Sequence, residues 1–453
     1  MSTENEPQRR FVVAIAGGAS RYTPGILKML VAERDRFPLS KVVLYDCEDV
    51  RQKRMAKYAR VLMSEYYPEC EVVDTLDPQV AFTGIDFCFM QIRAGRQEMR
   101  RSDEHIALKH GCIGQETCGA GGFAYGMRSI PAVVNIIKDV KKYSPDAYVL
   151  NYSNPAAIVA EATKRIFPDD KHVINICDMP VGIMNQYADE LGVPRNSIEA
   201  RYFGLNHFGW FTHVYDKKTG YDYLPKLKEI FSKPLPDDYF QDMDPSWHET
   251  FRFMRKMVRE CTDFLPNTYL QYYLYPRHML AGEDPNWTRA DQVMAGHEKQ
   301  IYEMVDEVCE TGKIKGTKYG FTYEDLKDDD HATYIVDLAC ALAFNTHERF
   351  LMMVPNTGIV PNLTEGMMLE VPCMVGSNGP EPLNVGPIPS FQKGLLENQF
   401  EYEKLTVDAN LNGSYVDAWH ALTLNRLVND TDTAKALLDD YIEANKDYWP
   451  ELR

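Results

Sequence analysis

The chain has 453 residues, 45% of them hydrophobic, and a formal net charge of −17 at pH 7. That length supports two domains with substantial cores, and that charge excludes nucleic acid and anionic membrane as general partners. An anionic ligand must then be held by a local basic cluster. Arg93, Arg96, Arg100 and Arg101 form one within nine positions, unless they only mark a solvated helix face.

Phe11 to Ala16 reads as a buried strand running into Gly17-Gly18-Ala19-Ser20. Pro24 then opens a helix with Ile26, Leu27, Leu30 and Val31 on one face. Lys41 to Asp46 reads as a second strand, with Asp46 29 positions after Gly17. The glycine pattern departs from G-x-G-x-x-G, but the strand–turn–helix–strand–acid setting is that of a dinucleotide site. Gly17, Gly18 and Ser20 are candidate contacts to the pyrophosphate, and Asp46 to a ribose hydroxyl.

Further strands are expected over Ile85 to Ile92, Ala147 to Asn151 and His172 to Cys177, with helices over 52–66, 131–142 and 155–166. Strands alternating with helices predict an α/β fold with a doubly wound parallel sheet of Rossmann type, occupying residues 1–200. Ligands in such sheets sit beyond the carboxyl ends of the strands. Those ends carry Arg93, Asn151-Tyr152-Ser153-Asn154-Pro155 and Cys177-Asp178. Gly111 to Gly126 holds six glycines around Gln115-Glu116-Thr117-Cys118, which predicts a ligand-contacting loop.

From Glu199 onward the pattern changes to a mixed α+β half, 201–453. Strands are expected over Glu199 to Gly204 and Trp210 to Tyr215, helices near 246–260, 290–309 and 332–346, strands near 356–374, and helices near 415–428 and 433–446. Tyr269-Leu270-Gln271-Tyr272-Tyr273-Leu274-Tyr275 packs four tyrosines into seven positions, and Asn286-Trp287-Thr288-Arg289 carries an isolated arginine. Most such tyrosines are core residues with a wet hydroxyl.

Ten scattered cysteines without short paired spacing predict reduced thiols in a cytoplasmic protein. The polar first ten residues carry no signal-peptide pattern, and no apolar run reaches the ~20 residues needed to span a bilayer.

The most telling residues are Cys177-Asp178-Met179-Pro180 and, thirty positions beyond Cys177, Asn206-His207-Phe208-Gly209-Trp210. An ordinary dehydrogenase needs no Cys/His metal pair beside its nicotinamide. With Thr23-Pro24-Gly25, Arg93-Ala94-Gly95-Arg96, Gly114-Gln115-Glu116-Thr117 and Ser153-Asn154-Pro155, these segments make the chain resemble glycoside hydrolase family 4, whose members depend on NAD and a metal. The Asp after the Cys resembles the branch acting on 6-phospho-α-glucosides such as maltose 6′-phosphate. Branches acting on phosphorylated β-linked glucosides tend to carry Asn there, and galactoside or galacturonate enzymes His.

The resemblance implies that Cys177 and His207 bind a divalent metal, usually manganese. It also implies that Asp178 is the general acid, that Tyr269 is the base with Glu116 raising its basicity, and that Arg100, Asn154 and Arg289 contact the phosphosugar. It implies a route too: oxidation at C3 by NAD, proton removal at C2, elimination of the C1 substituent, and water addition with return of the hydride. A thiolate and imidazole alone would suggest zinc; with two protein ligands, substrate oxygens must complete the shell, which suits harder manganese. The expected partner is a phosphorylated disaccharide, and the expected assembly a homodimer or homotetramer. Two readings of other classes compete: a lactate/malate-type NAD dehydrogenase, and a non-catalytic NAD-binding regulator.

Overall fold

The computed structural model describes residues 9–235, 248–260, 264–322, 325 and 330–453. The first eight residues of the polar N-terminal stretch, positions 246–247 of the helix expected over 246–260, and Cys261 lie outside the described residues.

The first half is a six-stranded parallel sheet: β1 (Phe11–Ala16), β2 (Leu39–Tyr45), β3 (Glu71–Thr75), β4 (Phe87–Met90), β5 (Tyr148–Asn151) and β6 (Val173–Asn175), in the order β3-β2-β1-β4-β5-β6. The order reverses between β1 and β4, the switch point where such sheets open a crevice for ligands. Ala16 ends β1 opposite both Tyr45 and Met90, so the segments after β1, β2 and β4 emerge side by side. Helices Thr23–Ala32, Asp49–Tyr66, Gly119–Tyr143 and Ala156–Ile166 supply the crossovers.

Two expectations for this half need correction, and one strand was not expected. Gly111–Gly126 is not one loop, because Gly119–Gly126 opens the 25-residue helix ending at Tyr143. Its glycines are there for close approach: a Cβ on Gly121 would lie 2.6 Å from the Gly114 oxygen, and one on Gly122 2.5 Å from the Thr117 oxygen. The helix therefore packs directly onto the backbone of Gly114–Thr117. The strand expected over His172 to Cys177 is confined to Val173–Asn175, and Ile176 adds a last bond to the Asn151 oxygen (2.9 Å) before the chain leaves the sheet. Strand β3 went unanticipated because it is a half-exposed edge of sequence Glu-Val-Val-Asp-Thr, without a continuous apolar run.

In the second half, β7 (Ile198–Leu205) and β8 (Phe208–Asp216) form an antiparallel hairpin extended by β9 (Leu265–Pro266). Of the strands expected near 356–374 only β11 (Met368–Gly376) falls in that range; its partner β10 (Glu348–Pro355) ends just before it, and β12 (Gly379–Pro382) completes a second antiparallel sheet. The connection between β10 and β11 is folded on Asn356, whose amide donates to the carbonyls of Val360 (3.1 Å), Leu363 (3.2 Å) and Thr364 (3.1 Å). The helix expected over 290–309 is Arg289–Val293, a π-helical turn at Met294–Glu298, and Lys299–Thr311. The largest apolar cluster runs from Phe11 and Val13 to Met352 and Leu396, so both halves share one core.

Candidate active site

A cleft of about 1020 Å³ opens at the switch point. Its walls come from the segments after β1 (Gly17, Ala19 to Tyr22), β2 (Asp46 to Glu48), β4 (Arg93 to Gln97), β5 (Tyr152, Asn154) and β6 (Cys177 to Met179), together with Glu116, Thr117, His207 and Tyr269. Both halves therefore build one cavity.

At one end, Gly17 has φ of 87°, a left-handed conformation open to glycine, and a Cβ there would lie 2.9 Å from the Gln91 oxygen. Gly18 is not on the cleft wall; a side chain there would press on Leu44 at 2.9 Å, so its smallness serves packing beneath the loop. Ser20 and Asp46 both line the cleft. Asp46 also holds the loop: its carboxylate accepts from the backbone of Ala19 (2.9 Å) and Cys47 (2.8 Å), tying the segment after β1 to that after β2.

At the other end, Cys177 leaves the tip of the sheet and His207 sits in the two-residue turn between β7 and β8 with φ of 62°. Sγ of Cys177 lies 3.3 Å from Nε2 of His207. Nδ1 of His207 is 3.0 Å from the Thr117 hydroxyl, which fixes the ring and leaves Nε2 toward the thiol. Burial lowers the His207 pKa to about 4, so the imidazole is neutral and its lone pair is free for a metal. Burial, with the nearby Asp178 and Glu370, raises the Cys177 thiol well above its ordinary range, so a metal must displace that proton to bind. Among the described residues no group of three or more His, Cys, Asp or Glu side chains forms a ready-made metal cage. The donor set fits a divalent ion held by one sulfur and one nitrogen and completed by oxygens of a bound ligand.

Tyr269 caps the short helix Leu270–Leu274, and its ring stacks on His207 with centroids 4.2 Å apart at 15°. Of the four clustered tyrosines it is the one on the cleft wall. Tyr273 is buried against Phe208, and the Tyr275 hydroxyl faces Glu260 at 3.4 Å. Burial raises the Tyr269 pKa well above its ordinary value, and Tyr272, Cys118 and Glu116 add to this. Glu116 behaves oppositely. Burial pushes its pKa up, but Arg100 and Arg93 more than offset it and leave it at about 2. Arg100 Nη1 is 2.7 Å from Glu116, and Arg93 bonds its other oxygen.

The structure does not bring Arg100 or Arg289 to the cleft wall. Arg100 is buried between Glu104 (2.7 Å) and Glu116, so its charge is spent inside the protein. Arg289 is exposed at the start of its helix and bonds Gln292 at 3.2 Å. Asn154 does line the cleft. Three residues without an expected role complete the site. The Tyr152 hydroxyl bonds Asp178, and Thr117 orients His207. Glu370, on β11, is buried and accepts from the Asn206 amide at 3.1 Å, one residue from His207. Thr117 stands within a segment that carried the family resemblance and Tyr152 directly precedes another; Glu370 left no sequence signal, being 163 positions from His207.

Residues 12–193 match the family described as Family 4 glycosyl hydrolase, and residues 202–428 match its C-terminal domain. The phospho-alpha-glucosidase PagL of Clostridium acetobutylicum is 58% identical over 448 residues, covering 98% of this chain and 100% of that protein. The maltose-6′-phosphate glucosidase of Bacillus subtilis is 48% identical over 448 residues, 98% of each chain. A crystal structure of a 6-phospho-alpha-glucosidase from gut microorganisms, in complex with NAD and Mn2+, superposes with a TM-score of 0.94 at 46% identity, covering 98% of this chain and 100% of that one.

Proposed function

The chain belongs to glycosyl hydrolase family 4, and we propose that it hydrolyses α-linked 6-phosphoglucosides, maltose 6′-phosphate among them, to glucose 6-phosphate and the released aglycone, with NAD and a divalent metal, manganese by preference, as bound cofactors. The observation that carries this reading is the Cys177–His207 pair at 3.3 Å on the same cleft as Asp178, Tyr269 and the Gly17 turn. A plain dehydrogenase has no use for that pair.

When bound, NAD supplies a hydride acceptor and donor at the sugar C3, while the metal steadies negative charge on the C2 and C3 oxygens and favours the ionised phenol of Tyr269. Cys177 and His207 would hold the metal. Tyr269 takes the C2 proton, which oxidation at C3 has made acidic. Glu116, kept ionised by Arg93 and Arg100, raises the affinity of Tyr269 for that proton. Asp178 delivers a proton to the glycosidic oxygen as the C1–O bond breaks, oriented by the Tyr152 hydroxyl. Water then adds across C1 and C2 and the hydride returns to C3. Asn154 hydrogen-bonds the sugar, a role supported by its position on the cleft wall.

The reading divides the chain near residue 200 into a cofactor half and a substrate half, and places the enzyme in the cytoplasm, where thiols stay reduced. It assigns a homodimer or homotetramer, a reading supported by Phe391, Leu411, Val416 and Leu424, exposed on consecutive helices. No described helix is long and apolar enough to cross a membrane.

The test is hydrolysis of p-nitrophenyl α-glucoside 6-phosphate, with NAD and manganese each supplied and withheld. Cleavage that needs both and accumulates no NADH supports the reading. Net NADH formation without cleavage returns the dehydrogenase, and faster cleavage of the β-anomer moves the enzyme to the β branch.

A further inference from the structure

Four arginines line the cleft: Arg21, Arg51, Arg93 and Arg96. Three are committed to carboxylates. Arg93 pairs with Glu116, Arg96 with Glu48 (3.3 Å) and Glu98 (3.5 Å), and Arg51 with Glu48 (3.7 Å) and Glu298 (4.0 Å). Arg21 differs. Its side-chain hydrogen bonds run to the Tyr22 hydroxyl at 2.7 Å and Nδ1 of His297 at 3.0 Å, and among the described residues it forms no ion pair. Its Nε is buried without a hydrogen-bond partner.

A guanidinium N–H buried and unmatched is costly, and the cost is recovered when an anion enters. The position of Arg21 defines the anion. It follows Ser20 in the turn after β1, at the switch point, and is held there from the other half by His297 in the π-helical turn Met294–Glu298. The ligands of the proposed function carry two kinds of anion, both phosphate esters: the pyrophosphate of the dinucleotide and the 6-phosphate of the sugar.

Resting on that function, we propose that Arg21 is a ligand-binding residue that grips a phosphoryl oxygen of a molecule bound in the cleft, with the dinucleotide pyrophosphate favoured by its place one residue beyond the Gly17–Ser20 turn. His297 and Tyr22 hold the guanidinium in place before the ligand arrives. The free protein thus keeps on its cleft wall a guanidinium that has no ion-pair partner among the described residues, although its charge also helps hold Glu116 ionised. In a chain of net charge −17 such a group gives an anionic ligand a local point of attraction.

The experiment measures the affinity of the purified full chain for three probes, NAD, glucose 6-phosphate and adenosine, in wild type, Arg21→Ala and Arg21→Lys. NAD affinity should fall about tenfold or more in Arg21→Ala, the loss expected for one charge-assisted hydrogen bond, and recover in part in Arg21→Lys, with adenosine unchanged. A fall for glucose 6-phosphate with NAD unchanged keeps the phosphoryl contact and assigns it to the sugar. Unchanged affinity for both phosphate esters overturns the inference, as does an equal loss for all three probes. A wild-type protein binding neither NAD nor glucose 6-phosphate would instead sink the function, and this inference with it.

Discussion

The two ends of the cleft are built by different means. The end proposed for the dinucleotide is largely backbone: the Gly17 turn, its Cβ-free approach to Gln91, and the Asp46 carboxylate tying neighbouring turns together. Apart from Gln91, which follows β4, these parts come from one contiguous strand–turn–helix–strand unit. The reaction end is made of side chains from distant places, with Cys177 and Asp178 at a strand tip, His207 in a hairpin turn, Tyr269 at the head of a short helix and Glu116 ahead of a glycine-packed helix. A backbone cradle tolerates substitution of its neighbours, whereas a constellation of side chains depends on each member and on the packing behind it. The two ends should therefore fail separately.

The largest separation should come from Cys177→Ser. Hydrolysis and manganese binding should both be lost, by more than the ~10–100-fold cost typical of removing an outer-shell partner. NAD affinity, which the proposed function assigns to the opposite end, should stay within about twofold; an equal loss of NAD binding would mean that the ends are one unit. Asp178→Asn should act more selectively. Proton donation by a positioned side chain contributes about 10²–10⁴-fold, so kcat/KM on maltose 6′-phosphate should fall by that order. The nitrophenyl substrate should suffer much less, because its leaving group needs little proton assistance. Equal losses on the two substrates would remove Asp178 from the acid role.

How much of each end was legible in the sequence follows the same division. The cofactor end is written in consecutive residues, so β1, β2 and Asp46 could be placed from apolar runs and turn chemistry. The reaction-end residues could be named through the motif segments, but their geometry could not. Nothing in one dimension says that Thr117 turns His207, or that Arg100 is consumed by Glu104 and Glu116. Side-chain pairing is decided by the fold, which is also why Arg289, bonded to Gln292, is not on the cleft wall. The helix Ser390–Asn412 escaped notice for a related reason. Its inner face buries Gln392, Gln399, Glu403, Thr406 and Asn410 among apolar residues, which blurs the helical period.

Glu403 offers the smallest and most local test. It lies in that helix, deeply buried, with the Gln399 amide donating to it at 2.8 Å, and burial raises its pKa from an ordinary 4.5 to about 8. Glu116, with two arginines, is held at about 2. A carboxyl whose folded pKa is raised favours the folded state in its protonated form. Its contribution is complete below about 4.5 and lost as pH rises through about 8. Glu403→Gln keeps the shape without the charge, so its Tm should approach or match wild type at pH 5 and exceed it by a few degrees at pH 9. A Tm difference that is the same at both pH values would mean that Glu403 does not titrate in this way.

The central claim is that the reaction end breaks the C2–H bond, which direct displacement at C1 never touches. Hydrolysis of maltose 6′-phosphate in deuterated water, followed by NMR of the glucose 6-phosphate formed from the phosphorylated residue, reads that step directly. The account predicts deuterium at C2 with no net NADH, and loss of both exchange and hydrolysis in Tyr269→Phe while manganese and NAD still bind. Product with an unlabelled C2 would contradict it.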